Sequence, residues 1–209
     1  MVFAFISIIA AGYIIGSFPT SYIAGRVLRG IDVREYGSGN TGATNVFRVI
    51  GPGPGSLVLL VDIIKGWVPV FFIAPAAASW FNLPEIESSL KIAAGISAVC
   101  GHNWPVFLGF RGGKGVAVSV GALLGISPAA LSLSAAAWVL VFISTGYVSL
   151  GSIIGAASLP VFMRLTDEPA EIVWFGIVIA LFIIIRHRSN IIRLIQKREN
   201  RFNLRKPLR

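Results

Sequence analysis

The chain of 209 residues is 55% hydrophobic and only 13% charged, and its mean hydropathy is +0.80 with a formal net charge of +9. That balance excludes an ordinary water-soluble domain. Nine of the eighteen basic residues lie in 186–209, where Glu199 is the only acid, which points to a membrane-proximal tail beside anionic lipid and away from nucleic acid.

Apolar segments recur at residues 2–27, 55–77, 90–107, 116–126, 129–145, 148–163 and 172–185. A bilayer core takes about 20 residues of helix to cross, so these predict a bundle of about seven transmembrane helices, with 116–126 and 172–185 at the short end. The first segment has no basic residues before it and no small-residue cleavage site after it, so it reads as a membrane helix and not a removed signal peptide. No internal repeat is visible, and one polytopic domain over 1–209 is expected, ending in a basic cytoplasmic tail at 196–209.

Alternate connections separate by charge. With the N-terminus outside, the inner connections and the tail contain fifteen of the eighteen basic residues, while the outer ones hold Lys91 and Arg164 against Glu85, Glu87, Asp167, Glu168 and Glu171. The positive-inside rule therefore places the N-terminus outside and the C-terminus in the cytoplasm.

This orientation gathers the polar clusters on the inner face. The first runs from Gly37, Ser38, Gly39, Asn40, Thr41 and Gly42 to Thr44, Asn45 and Arg48. It matches G-x-G-x-x-G, but without a preceding strand that match has no dinucleotide-binding content. Its glycines, neutral donors and planar cation are nevertheless the parts of a phosphate cradle, and no acid interrupts them. The second cluster leads from His102 to Arg111, Gly112, Gly113, Lys114 and Gly115 at the head of the 116–126 helix, and lacks the first glycine and the Ser/Thr of a Walker A loop. Helix dipole, backbone N–H groups and two cations again favour an anion.

Two further clusters lie later in the chain. Ser149 and Ser152 share one face of a helix's first turn, and Arg186, His187, Arg188, Ser189 and Asn190 mark the exit of the last span. Asp62 and Lys65 stand one turn apart inside an apolar segment, where charges are expected to pair. The single Cys100 gives no disulfide or Cys-based metal site, there is no zinc-ligand helix, and Phe107 and Ile192 stand where an H-x-x-x-x-D motif would need Asp after His102 or His187. No metal or cofactor is expected. Only these two histidines titrate near neutrality without a large shift.

Taken together, G-S-G-N-x-G-A-T-N-V-x-R at 37–48, D-x-x-K-G at 62–66, G-H-x-x-P-V-F at 101–107, G-F-x-G-G-K-G-V-A at 109–117, Y-V-S-L-x-S-I at 147–153 and R-H-R-x-N-I at 186–191 cover nearly the whole chain. In these motifs the sequence resembles the bacterial acyl-phosphate:glycerol-3-phosphate acyltransferases, the PlsY family. The resemblance implies a seven-helix bundle in the bacterial inner membrane with its active site open to the cytoplasm. It also implies transfer of an acyl chain from acyl phosphate to the sn-1 hydroxyl of glycerol 3-phosphate, giving lysophosphatidic acid and phosphate, with a soluble acyl-phosphate-forming enzyme as a partner. Catalytic roles carry over onto Ser38, Arg48, Lys114, Ser152, His187 and Asn190. Substrate binding is expected of Gly37, Gly39, Asn40, Thr41, Thr44, Asn45, Arg111, Gly112, Gly113, Gly115 and Ser149. Two positions depart from the family pattern, Ser189 for Glu and Asn200 for His. The competing class is a transporter for a phosphorylated solute, which would need polar residues at mid-membrane and access from both faces.

Overall fold

The structure, a computed structural model, describes residues 1–202. The expected tail residues Arg205, Lys206 and Arg209 lie outside that range. The described residues are helical, with no strand among them. They divide into two compact units, residues 1–126 and 127–202.

In the first unit the expected segment 2–27 is broken. Helix α1 (Val2–Ser17) stops at Phe18, whose ψ of 122° is extended, and α2 (Thr20–Arg29) starts after Pro19. The residue before a proline is driven out of the helical region, and that is the physical reason for the break. Gly30, at φ 67°, closes α2 in the left-handed conformation. A short turn, Val33–Glu35, follows, and then α3 (Ala43–Val49), a helix in a stretch read from sequence only as a loop. Val33, Ala43, Val46, Ile50 and Val58 form a small core beneath α3, partly against the next helix.

Helix α4 (Pro52–Val68) runs through a π-type stretch, Pro69–Ile73, into α5 (Ala74–Trp80). Pro69 has no N–H to donate one turn back, so the α-helical ladder is already interrupted where this stretch begins. Helix α6 (Glu87–Asn103) and the short α7 (Val116–Ile126) complete the unit. Close helix approach rests on glycine: a Cβ on Gly66 would collide with the Val118 carbonyl and one on Gly121 with that of Ile63, so α4 and α7 touch backbone to backbone.

The second unit contains α8 (Pro128–Thr145), α9 (Val148–Leu165), α10 (Ala170–Arg186) and α11 (Arg188–Ile195). Gly146, at φ 74°, makes the tight reversal between α8 and α9. Beyond α11 the chain doubles back: the Phe202 N–H donates to the Gly146 carbonyl at 2.8 Å and the Arg201 guanidinium sits 4.9 Å from the Tyr147 ring centre. Within the stretch read from sequence as tail, Glu199 is buried, while Gln196, Lys197, Arg198, Asn200 and Arg201 are exposed.

Among the described residues, four helical stretches are long and apolar enough to cross a membrane, namely Val2–Arg29, Pro52–Trp80, Pro128–Thr145 and Val148–Leu165. The pair Ala170–Arg186 and Arg188–Ile195, bent by 58°, makes a fifth if taken as one span. Helix α6, with 17 residues, and α7, with 11, are shorter.

Candidate active site

In the first unit the 37–45 turn is built around one buried amide. Asn45, 1% exposed, donates through Nδ2 to the carbonyls of Val33 at 2.9 Å and Tyr36 at 3.1 Å. Its Oδ1 accepts from the Ser38 N–H at 2.8 Å and the Ser38 hydroxyl at 3.1 Å. Asn45 therefore shapes the loop and aims Ser38. Gly37 takes φ 61°, and a Cβ there would strike the Asn45 Oδ1, so glycine is required twice over. Ser38 and Gly39 are exposed, and Asn40, Thr44 and Arg48 are half-buried. Thr41 is buried, with its carbonyl accepting from the Ser21 hydroxyl. Arg48 lies on the last turn of α3.

The turn is braced from below. Asp32 accepts from the Arg34 N–H at 3.0 Å and grips its guanidinium at 2.6–3.1 Å; the Arg34 hydrogen bonds hold this carboxyl below its ordinary range despite burial. Arg34 also donates to the Leu108 carbonyl at 3.4 Å, linking the first loop to the second.

The second loop leaves α6 at Asn103 and enters α7 at Val116. Gly113 donates its N–H to the His102 carbonyl at 3.0 Å, and a Cβ on Gly113 would run into the His102 ring. Gly109, Phe110 and Gly115 have φ of 60°, 62° and 81°. Phe110 is a bulky residue in a region that favours glycine, and it is exposed. Arg111 is exposed, Gly112 and Lys114 are half-buried, and Gly113 and Gly115 are buried. Against Gly115 lies Asn103, wholly buried, whose side-chain atoms find no hydrogen-bond partner among the described residues. The two loops flank a small cavity, whose lining includes Thr41, Asp62, Lys65, His102 and Leu108.

In the second unit a single carboxylate gathers the polar residues. Glu199 accepts from the Ser149 hydroxyl at 3.0 Å and Asn190 Nδ2 at 2.7 Å on one oxygen, and from Arg193 Nε at 2.7 Å on the other. Burial alone would raise its pKa; the hydrogen bonds from Asn190, Arg193 and Ser149 outweigh that and hold it below the ordinary value of 4.5. Ser152, one turn beyond Ser149, donates to the Val148 carbonyl at 2.9 Å and accepts from the Trp138 indole at 3.3 Å. His187, 3% exposed, sits at the junction of α10 and α11 with Nδ1 2.8 Å from the Ile183 carbonyl. A carbonyl only accepts, so Nδ1 carries the proton and Nε2 is the basic nitrogen of the neutral ring.

Sequence reasoning missed Glu199, Trp138, Ser21 and the Asp32–Arg34 brace. Glu199 carried a signal, as the one acid in a strongly basic segment. The others look like ordinary residues until the fold brings them beside a loop.

The features in hand define a class: a membrane-embedded protein whose glycine-rich loops carry cations suited to phosphate groups. The comparisons then specify it. The glycerol-3-phosphate acyltransferase family model matches residues 6–197. A glycerol-3-phosphate acyltransferase of Gloeobacter violaceus is 46% identical over 191 residues, 91% of each chain. Another, from Desulforudis audaxviator, is 43% identical over 97% of this chain and 98% of its own. Two crystal structures of PlsY (YgiH), an integral membrane glycerol 3-phosphate acyltransferase, are 38% identical and cover 95% of this chain. The glycerol 3-phosphate form superposes with a TM-score of 0.86 over 96% of its chain, and the lysophosphatidic acid form with 0.82 over 95%. The chain belongs to the glycerol-3-phosphate acyltransferase family.

Proposed function

We propose that this protein transfers a fatty acyl group from acyl phosphate to the sn-1 hydroxyl of glycerol 3-phosphate, at the cytoplasmic face of a bacterial inner membrane. One observation carries the reading: the similar PlsY occurs in a glycerol 3-phosphate form and a lysophosphatidic acid form, molecules that differ by one acyl chain on one hydroxyl. A donor must supply that chain. Acyl phosphate, the donor of the family the sequence resembles, fits a protein with two glycine-rich loops of cationic character, because both substrates then bear phosphates. A soluble enzyme that makes acyl phosphate is the natural supplier. The seven apolar segments correspond to α1 with α2, α4 with α5, α6, α7, α8, α9 and α10, and an outer N-terminus, as the charge distribution favours, supports an inner position for both glycine loops and His187. The whole chain then serves one reaction as a single polytopic domain.

The attacking hydroxyl oxygen bonds to the acyl carbonyl carbon, the carbon–oxygen bond to phosphate breaks, and inorganic phosphate leaves. Acyl phosphate is a mixed anhydride with a good leaving group, so orientation and charge stabilisation matter more than a strong nucleophile. Arg48 and Lys114 stabilise charge on the leaving phosphate. Gly37, Gly39, Gly112, Gly113 and Gly115 let backbone N–H groups face the phosphates, with Asn40, Thr41, Thr44 and Arg111 as further donors. Asn45 acts through Ser38, which it holds by two hydrogen bonds. Ser38, Ser152, His187 and Asn190 orient glycerol 3-phosphate, with Ser149 supporting Asn190 through Glu199.

The hydroxyl proton goes either to His187 Nε2 or to a substrate phosphate oxygen, and His187→Gln separates the two. A loss beyond about a hundredfold with disappearance of the acidic limb of the pH–rate profile assigns it to the histidine. A smaller loss with the limb intact assigns it to phosphate.

The function is tested by giving purified protein glycerol 3-phosphate with acyl phosphate, acyl-CoA or acyl carrier protein and measuring lysophosphatidic acid. Product with acyl phosphate alone is expected. Product only with another donor would overturn the donor assignment, and none with any donor would overturn the reaction.

A further inference from the structure

We propose that Asp62, Lys65 and His102 form a buried positioning unit that sets the two glycine loops relative to each other for acyl transfer, without touching substrate. Asp62 is 1%, Lys65 5% and His102 8% exposed. Lys65 Nζ lies 2.6 Å from Asp62 Oδ1 and donates to the Phe18 carbonyl at 2.7 Å, at the break between α1 and α2. The same Asp62 oxygen is 3.9 Å from His102 Nδ1. A buried ion pair, a hydrogen bond and a 3.9 Å approach therefore bring together the α1–α2 break, the later half of α4 and the end of α6.

At each end of these contacts a glycine loop is held. At the α2 end, the Ser21 hydroxyl donates to the carbonyl of Thr41 in the first loop. At the α6 end, the His102 carbonyl accepts from Gly113 in the second, and the His102 ring fills the space over Gly113 that a Cβ would need. Thr41, Asp62, Lys65 and His102 line the same small cavity.

Charges buried in an apolar helix are costly and persist where something requires them. Apolar packing would join α4 to its neighbours without that cost, as the glycine contacts between α4 and α7 do. What the ion pair adds is a fixed polar geometry at two loop bases. Phosphate binding by each loop is local, whereas the reaction needs the attacking oxygen and the acyl carbon held in register, and a misplacement of about 1 Å can cost roughly a hundredfold in rate.

The proposal rests on the acyl-transfer reading above, and the wild-type control keeps the two apart. Wild-type protein that makes no lysophosphatidic acid defeats that reading, whereas normal turnover in the variants defeats only the positioning unit. His102→Gln is purified and measured for folded fraction, kcat, the KM of each substrate and pH profile. The expected result is a fall in kcat of about 30–100-fold per folded molecule, each KM within about threefold of wild type, and an unchanged pH profile. Loss of the acidic limb would make His102 a base, a large rise in one KM with kcat kept would make it a ligand contact, and unaltered kinetics would make it a spectator; each overturns the proposal. The neutral pair Asp62→Asn with Lys65→Gln is expected to show the same fall, and the triple variant no further one, because the three residues act as a unit. Independent, multiplying losses would overturn it. Where the neutral pair does not fold, the His102→Gln result decides alone.

Discussion

In the first unit, Ser38 and its turn hang on the uncharged side chain of Asn45 through four hydrogen bonds, whereas in the second, Ser149, Asn190 and Arg193 converge on the carboxylate of Glu199. Both are buried brackets, yet they differ in charge for a physical reason. An unpaired acid against Ser38 would oppose the phosphate binding proposed for the 37–48 loop, and the one acid beneath that turn, Asp32, is met by the Arg34 guanidinium. Glu199 carries no such penalty, because the Arg193 guanidinium already meets it. A neutral bracket leaves the loop electropositive, and a charged one gains stronger hydrogen bonds where the field is locally balanced.

The largest effect should come from the cation assigned to substrate. Arg48→Ala is expected to lower kcat at least about a hundredfold, as loss of a clamp on developing charge does. Arg193→Ala removes a cation whose partner is Glu199, and should act mainly on stability, with less than about tenfold on turnover. Equal losses of kcat in the two variants would erase the distinction between a substrate cation and a structural one. Asn45→Asp should follow, at about thirtyfold: it puts a negative charge beside Ser38 and turns a donor to the Val33 and Tyr36 carbonyls into an acceptor. Steady-state kinetics with both substrates varied should show this loss mostly in KM. Glu199→Gln, nearly isosteric, should cost about tenfold, because it keeps the shape of its bracket but loses the charge and sets an amide NH2 against a donor, Arg193 Nε or Asn190 Nδ2.

The sequence made the membrane class and both glycine-rich loops legible because each depends on local pattern. Apolar length shows a span, and clustered glycines show where the chain turns between helices. The break at Phe18 was also readable in principle, since Pro19 forces it, but the apolar run across it hides it. Helix α3 was hidden too, because Thr44, Asn45 and Arg48 look like loop residues when the core under Val46 is not known. Asp62 and Lys65 were expected to pair, and they do at 2.6 Å. Their connection to His102, and that of Glu199 to Ser149 fifty residues earlier, are products of tertiary folding and leave no local trace.

The smallest effect is on stability in acid, and it sharpens the comparison of the two brackets. Glu199 has its pKa lowered on folding, so the unfolded chain binds its proton more readily than the folded one. Its contribution is then fully present above the ordinary value of 4.5 that the unfolded chain has and is lost as pH falls through the lower folded value. Asp32, lowered by Arg34, adds loss of the same sign in the first unit, while Asn45 adds none. Thermal unfolding in detergent between about pH 7 and pH 3 should therefore show wild-type stability flat down to the ordinary carboxylate range and falling below it. Glu199→Gln should start less stable at pH 7 and fall less steeply, because a glutamine has no proton to gain, and the two curves should converge at the acid end. Parallel curves would mean that the Glu199 bracket holds by shape alone and that its charge contributes nothing to folding.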